Sequence, residues 1–179
     1  MAKRIMNKVF KDHVFEETVF AVVSQPVDKL KIQLEIGGSL GSNLEAETSE
    51  AGRKQKLHAR LSGTKRILLV LDDVWQGIEL EEFGIPRDSK SCTVLITSRN
   101  RDALCKIGVQ KEFGMEILSE DEARFLFREK AGACMDDVKL KSIAARVVKK
   151  CKGLPIALAT VGAALKDEKS PSLWEDALC

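Results

Sequence analysis

Hydrophobic positions show two textures along the chain. In the first half, short unbroken apolar runs alternate with polar, helix-like stretches. Thr18–Ser24 (TVFAVVS, bounded by Gln25-Pro26), Arg66–Leu71 (RILLVL) and Cys92–Thr97 (CTVLIT) are such runs, and Met115–Leu118 gives a fourth, weaker one. Runs this apolar have no polar face to turn to water. They predict buried strands of a parallel sheet with helices on both faces. Between them, residues 3–11 read as the end of a helix. Val27–Leu40 reads as a helix with Val27, Leu30 and Leu34 on one face, running into Gly37, Gly38 and Gly41. Residues 42–50 read as a polar loop, and Glu50–Leu61 as a further helix ending near Gly63. Strands alternating with helices predict an α/β doubly wound fold.

After Leu118 the pattern is helical throughout. Ser119-Glu-Asp-Glu122 has the form of a capping box, in which Ser119 accepts from the Glu122 N–H and Glu122 reaches back. The helix it starts is expected to bury Ala123, Leu126, Phe127 and Ala131. Leu140, Ile143, Ala144, Val147, Val148 and Cys151 form an amphipathic stripe at spacings of three and four. Gly153-Leu154-Pro155 breaks that helix, and Pro is sterically permitted in the first turn of the next. Ile156–Leu165 is apolar nearly all round and is expected to be the central helix of a small bundle. Ser170-Pro171 starts a last short helix containing Trp174.

Composition narrows the function. With 44% hydrophobic residues the chain can bury a core, so disorder is excluded. Net charge is 29 − 27 = +2, and neither half is strongly basic. A nucleic-acid grip driven by bulk charge is therefore excluded as a partner class. There is no Tyr to build a stacking platform for single strands. Five scattered Cys, at 92, 105, 134, 151 and 179, read as inert core thiols of a reducing compartment. His13 and His58 lie far from each other and from paired Cys, which gives zinc no support. Residues 1–13 have no apolar signal region. Gly153–Leu165 falls short of the ~20 residues needed to span a bilayer, so no transmembrane segment is expected. The expectation is a soluble, cytoplasmic domain.

Two signals carry chemistry. The run Ile67–Leu71 ends in adjacent carboxylates, Asp72 and Asp73. Ionised groups at the end of a buried strand need water, a cation or a donor. The C-terminal edge of a parallel sheet is also where α/β folds place ligands. One aspartate there can hold hydrated Mg²⁺, and the second can orient or deprotonate an attacking water. The competing reading is a helix N-cap at a strand-to-helix turn. Thr97-Ser98-Arg99 directly follows the run CTVLIT. Arg99 at the same edge can contact a terminal phosphate oxygen; the competing reading is a surface ion pair with Asp102 or another carboxylate. Trp75 and Trp174 read by default as packing residues. An unrelated Mg²⁺-dependent enzyme would need carboxylates at other strand ends, and none follows TVFAVVS or CTVLIT.

Taken in order, these segments resemble one family. KRILLVLDDVW (65–75) is similar to the Walker B or kinase-2 motif of plant NB-ARC domains, the nucleotide-binding switch of intracellular NLR immune receptors. CTVLITSRNRDALC (92–105) resembles the next motif, whose Arg senses the nucleotide. EILSEDEARFLFREKAG (116–132) resembles the following block, and KCKGLPIALATVGAALK (150–166) the GLPL motif. VFAVVSQ (19–25) is similar to the strand between the phosphate loop and Walker B. Trp75 closing the kinase-2 block resembles the coiled-coil class of receptor.

The resemblance implies a partial P-loop NTPase-like sheet over residues 1–118, related to the STAND and AAA+ ATPases, and a helical ARC1-like subdomain over 119–179. It implies ADP or ATP with Mg²⁺ as cofactor and a slow ATPase switch as activity. Asp72 would hold the Mg²⁺ water shell and Asp73 would be the candidate base. Arg99 would sense the γ-phosphate, and Leu154 and Pro155 would pack on the adenine. The family's phosphate loop, G-x-x-x-x-G-K-[ST], has no counterpart here, and no Gly is followed by Lys anywhere in the chain. Residues 1–12 resemble the helix after that loop, so the chain is expected to start just beyond it and to stop before the second helical subdomain. Without the loop's N–H groups and Lys, nucleotide binding by these residues alone is expected to be weak or absent. The alternative is a non-catalytic interaction module that pairs with a full-length NLR or with other domains of the same receptor.

Overall fold

The structure is a computed structural model that describes residues 1–87 and 89–178. Cys179, one of the five expected thiols, lies outside the described residues. The chain divides into two compact units, 1–112 and 113–179.

The first unit is built on a three-stranded parallel sheet in the order β1-β2-β3, with β1 Glu17–Val22, β2 Ile67–Asp72 and β3 Cys92–Ile96. Glu17 pairs with Ile67 and Ile67 with Cys92, and the register holds to the strand ends. Alternation along each strand sends side chains to two faces. Ile67, Leu69 and Leu71 join Val19 and Ala21 of β1, and Val23 just after it, in the main core. Leu68 and Val70 point the other way, toward Ala2, Met6 and Val9 of α1 (Ala2–Lys11). All five residues of β2 from Ile67 to Leu71 are buried, as a central strand covered on both faces requires.

Helix α2 (Lys29–Ser39) starts at Asp28, whose carboxylate accepts from the Lys31 N–H, and α3 (Glu50–Leu61) starts at Ser49, which accepts from Gly52. The core face of α2 differs from expectation. Ile32, Ile36 and Leu40 are buried, Leu34 and Val27 (which precedes the helix) pack on the same core while partly buried, and Leu30 is exposed. Two stripes compete at helical spacing, and the cap at Asp28 leaves Leu30 in an open first turn. A 3-10 turn, Leu80–Phe83, lies on the way from β2 to β3, and α4 (Arg101–Ile107) follows β3.

The fourth apolar run forms no strand. Residues 109–119 have no helix or strand, and Phe113, Met115 and Ile117 are exposed. A strand exists only through a partner edge. Within the run, the Leu118 N–H donates to the Gly153 carbonyl at 2.9 Å. Leu118 packs on the second unit's core, so the division falls between Glu112 and Phe113 rather than after Leu118.

The second unit holds α5 (Glu120–Ala131), α6 (Lys141–Lys150), α7 (Pro155–Ala164) and α8 (Pro171–Asp176). Both halves of the Ser119–Glu122 capping box form. Ala123, Phe127 and Ala131 are buried and Leu126 is partly so. Every residue of the predicted stripe from Leu140 to Cys151 is buried. Trp174 is fully buried, edge-on to Phe127 at 6.0 Å, and its Nε1–H donates to the Glu168 carbonyl at 3.0 Å. Helix α7 is not enclosed on all sides. Leu158 and Gly162 are buried, where a Cβ on Gly162 would sit 2.8 Å from Lys130 Cβ and 3.3 Å from the Phe127 carbonyl, while Ile156 is exposed. A bundle of four short helices cannot surround one of its members.

Candidate functional site

The C-terminal end of β2 lies beside the end of β3, and hydrogen bonds lace the two loops that leave them. The register Leu71–Ile96 brings Thr97 alongside Asp72. Thr97 Oγ1 donates to Asp72 Oδ1 at 2.6 Å and accepts from the Asp73 N–H at 2.9 Å. The Val74 N–H donates to the Thr97 carbonyl at 2.9 Å, and Ser98 Oγ donates to the Val74 carbonyl at 2.5 Å. Asn100 Nδ2 donates to the Trp75 carbonyl at 3.2 Å, while its Oδ1 accepts from Asp102 and caps α4.

Asp73 has φ +59°, the left-handed region that Asp tolerates better than most residues. That turn leads the chain away from a helix, and residues 73–79 contain none. The helix N-cap reading of Asp72 and Asp73 is thus not realised. Both carboxylates reach solvent: Asp72 is half-buried, and the Asp73 side chain is 44% exposed.

Arg99 pairs with Asp73 rather than with Asp102. Its Nε lies 3.7 Å from Asp73 Oδ1, and its guanidinium carbon lies 5.5 Å from the centre of the Trp75 ring. The Arg99 side chain is 78% exposed, so this ion pair contributes little, below about 1 kcal/mol. Trp75 is not a core residue: it is 40% exposed.

Leu154 and Pro155 belong to the second unit. Pro155 is the first residue of α7, and both side chains are exposed. Gly153 before them is fixed by structure alone. It has φ +68°, and a Cβ there would meet the Leu118 carbonyl oxygen at 2.4 Å. The Gly of Gly-Leu-Pro is therefore required by the approach of residues 117–118, whatever the site does.

The sheet end suits a hydrated Mg²⁺. Among the described residues no group of three or more His, Cys, Asp or Glu forms a cage. Mg²⁺ does not need one, because it keeps several waters and takes one or two carboxylates. The nucleotide's phosphates find less here. Arg99 pairs with Asp73, and residues 1–179 hold no Gly-Lys pair to cradle them. A cleft of about 720 Å³ lies elsewhere, at the opposite end of the strands, lined by His58, Arg66, Arg87 and Ser91 among others. Its Arg87 is already bound by Glu79 and Glu81, which weakens its appeal to an anion.

Thr97 is the site residue that sequence reasoning passed over. A threonine one place beyond a strand end says nothing by itself. Once three apolar runs are aligned as parallel neighbours, Thr97 falls opposite the first carboxylate. The cysteines also depart from a uniform core reading. Cys92 is buried, which pushes its thiol up to about 11, and Cys151 is raised by burial too, but Cys105 is exposed on α4.

A parallel sheet covered on both faces, ending in paired carboxylates beside an arginine, defines a partial P-loop NTPase-like α/β unit. The NB-ARC domain family matches residues 1–137, and the chain belongs to that family. It is 32% identical over 166 residues to Disease resistance protein At4g27190 of Arabidopsis thaliana, covering 92% of this chain and 17% of that protein. It is also 32% identical over 183 residues to Disease resistance protein UNI of the same plant, covering 98% of this chain and 20% of that protein. A probable disease resistance protein, At1g61310, matches at 32% over 183 residues with the same shares. The chain thus spans about a fifth of the length of these relatives. No helix among the described residues is long and apolar enough to cross a membrane.

Proposed function

We propose that this chain is part of the ADP/ATP-binding switch of a plant immune receptor, acting in defence signalling in the cytoplasm. The observation that carries this reading is the laced sheet end, where Asp72, Asp73, Thr97 and Arg99 converge. Asp72 holds the water shell of Mg²⁺, oriented by the Thr97 hydroxyl. Asp73 is the candidate base, and Arg99 senses the γ-phosphate. Leu154 and Pro155 pack on the adenine, which fits their exposure at the start of α7. Mg²⁺ held there would supply charge neutralisation for the phosphates. In this reading the residues around it bind and orient, and Asp73 accepts a proton from water. Residues 119–179 correspond in this reading to the ARC1-like subdomain.

Affinity is low in this reading. With no Gly-Lys pair in residues 1–179, neutralising a polyanion beside two aspartates falls to Mg²⁺ and Arg99. Calorimetry with ADP and Mg²⁺ tests it. Weak heat that requires Mg²⁺ and disappears in Asp72→Ala supports a working metal site. Equal binding by Asp72→Ala, or binding that ignores Mg²⁺, overturns it.

A second reading, pairing with a full-length NLR, is favoured by the outer edge of β3. Val94, Leu95 and Ile96 are only partly buried, and the strand carries no charged residue or Pro to blunt the edge. Co-purification with a full-length NB-ARC receptor, lost in Val94→Lys, supports that reading; a strictly monomeric protein in its presence counts against it.

A further inference from the structure

We propose that Trp75 is a positioning residue for Arg99. The indole holds the guanidinium by its face and leaves its edge donors free for a phosphate oxygen. This inference rests on the nucleotide reading for its purpose, but not for its geometry.

Trp75 belongs to none of the core clusters and is 40% exposed, a large apolar ring left open beside a charged loop. The Arg99 guanidinium carbon lies 5.5 Å from its centre, within the range of an attractive cation–π contact. Guanidinium stacks through its plane, whereas its N–H groups all lie in that plane. Stacking therefore restricts the long side chain without consuming the donors an anion would use. The lateral contact to Asp73, at 3.7 Å, is too long for a good hydrogen bond, and it can yield to a competing anion.

The backbone makes this arrangement a unit. Asn100 Nδ2 bonds to the Trp75 carbonyl, Ser98 Oγ to the Val74 carbonyl, and the Val74 N–H to the Thr97 carbonyl. The segment carrying the ring and the segment carrying Arg99 are tied at three points on either side of the stack. Without the ring, Arg99 would sample its rotamers in water, because the remaining partner is a single exposed carboxylate.

The test is the Arg99 Nε–H resonance in ¹⁵N-resolved NMR of the whole chain. The indole ring current is expected to shift it upfield of an exposed arginine. Trp75→Leu should abolish the shift, Trp75→Phe should keep part of it, and Asp73→Asn should leave most of it. The amide resonances of β1–β3, in the same unit as Trp75, report that the variants are folded. Should Trp75→Leu fail to fold, Arg99→Ala reads the same contact from the other side: acrylamide should then quench the exposed tryptophan more strongly. An Arg99 resonance at the exposed-arginine position in the unmodified chain overturns the proposal, as does a shift that survives Trp75→Leu. Failure of the nucleotide reading looks different. ATP and Mg²⁺ would leave the spectrum unchanged while the Arg99 shift persists.

Discussion

The two units of this chain are held by contacts of different range. In the first, β2 pairs with β1 about fifty residues back and with β3 about twenty-five residues ahead, and its core cannot exist until those strands meet. In the second, a capping box, an amphipathic stripe and a proline at a helix start each act within a few turns of helix. Their cores share no residue. The difference separates stability from chemistry. The first unit concentrates polar groups where its strands end, whereas the second presents only Leu154 and Pro155 as candidates.

Substitutions in each core sharpen that contrast. Trp174→Ala removes a fully buried ring, its edge contact with Phe127 and a hydrogen bond. It should cost about 3–5 kcal/mol, most of the second unit's stability. In chemical denaturation followed by NMR, amides of α5–α8 should be lost before those of β1–β3. Leu69→Ala, at the centre of β2, should cost about 2–5 kcal/mol and reverse that order. Loss of both units together in either variant would break the comparison.

Three smaller effects refine it. Ser119→Ala removes the cap of α5 and should cost about 1 kcal/mol, seen as a lower midpoint for the second unit alone. Glu17, at the start of β1, accepts from Lys65 at 2.6 Å and also from Arg60. The Lys65 hydrogen bond, helped by Arg60 and opposed by partial burial, holds its carboxyl below the usual carboxylate range. A lowered folded value contributes stability above the unfolded value of about 4.3, and that contribution is lost as pH falls through the folded value. Glu17→Gln should cost at most about 1 kcal/mol near neutral pH and nothing in strong acid, which pH-dependent melting can read. The smallest effect is chemical: iodoacetamide at mildly alkaline pH should modify exposed Cys105 while buried Cys92, raised to about 11, stays intact until unfolding.

Much of this was legible in the residues, and what was not has a common cause. The three strong apolar runs became strands because Ile67–Leu71 and its neighbours have no face for water. The capping box and the stripe from Leu140 to Cys151 are local and needed no partner. Met115–Leu118 has the composition of a strand, but strand formation depends on an edge that composition does not reveal. On α2, Val27 and Leu34 pack on the core as their spacing implies, but Ile32, Ile36 and Leu40 repeat at the same helical spacing and take its buried centre, leaving Leu30 exposed. At the site, Asp72, Asp73 and Arg99 stood out as charges at the ends of apolar runs. Thr97 and the stack on Trp75 did not, since both follow from register and loop geometry rather than from residue type.

In the proposed site, Asp72 at the end of β2 holds the water shell of a divalent cation and Asp73 is the candidate base. Mn²⁺ added in place of Mg²⁺, with ADP present, tests it most directly, because its paramagnetism broadens amide resonances near where it sits. Broadening should centre on residues 72–74 and 97–99 and be lost in Asp72→Asn. Broadening confined to the acidic turn at Glu79–Glu82, with residues 72–74 unaffected, would contradict it.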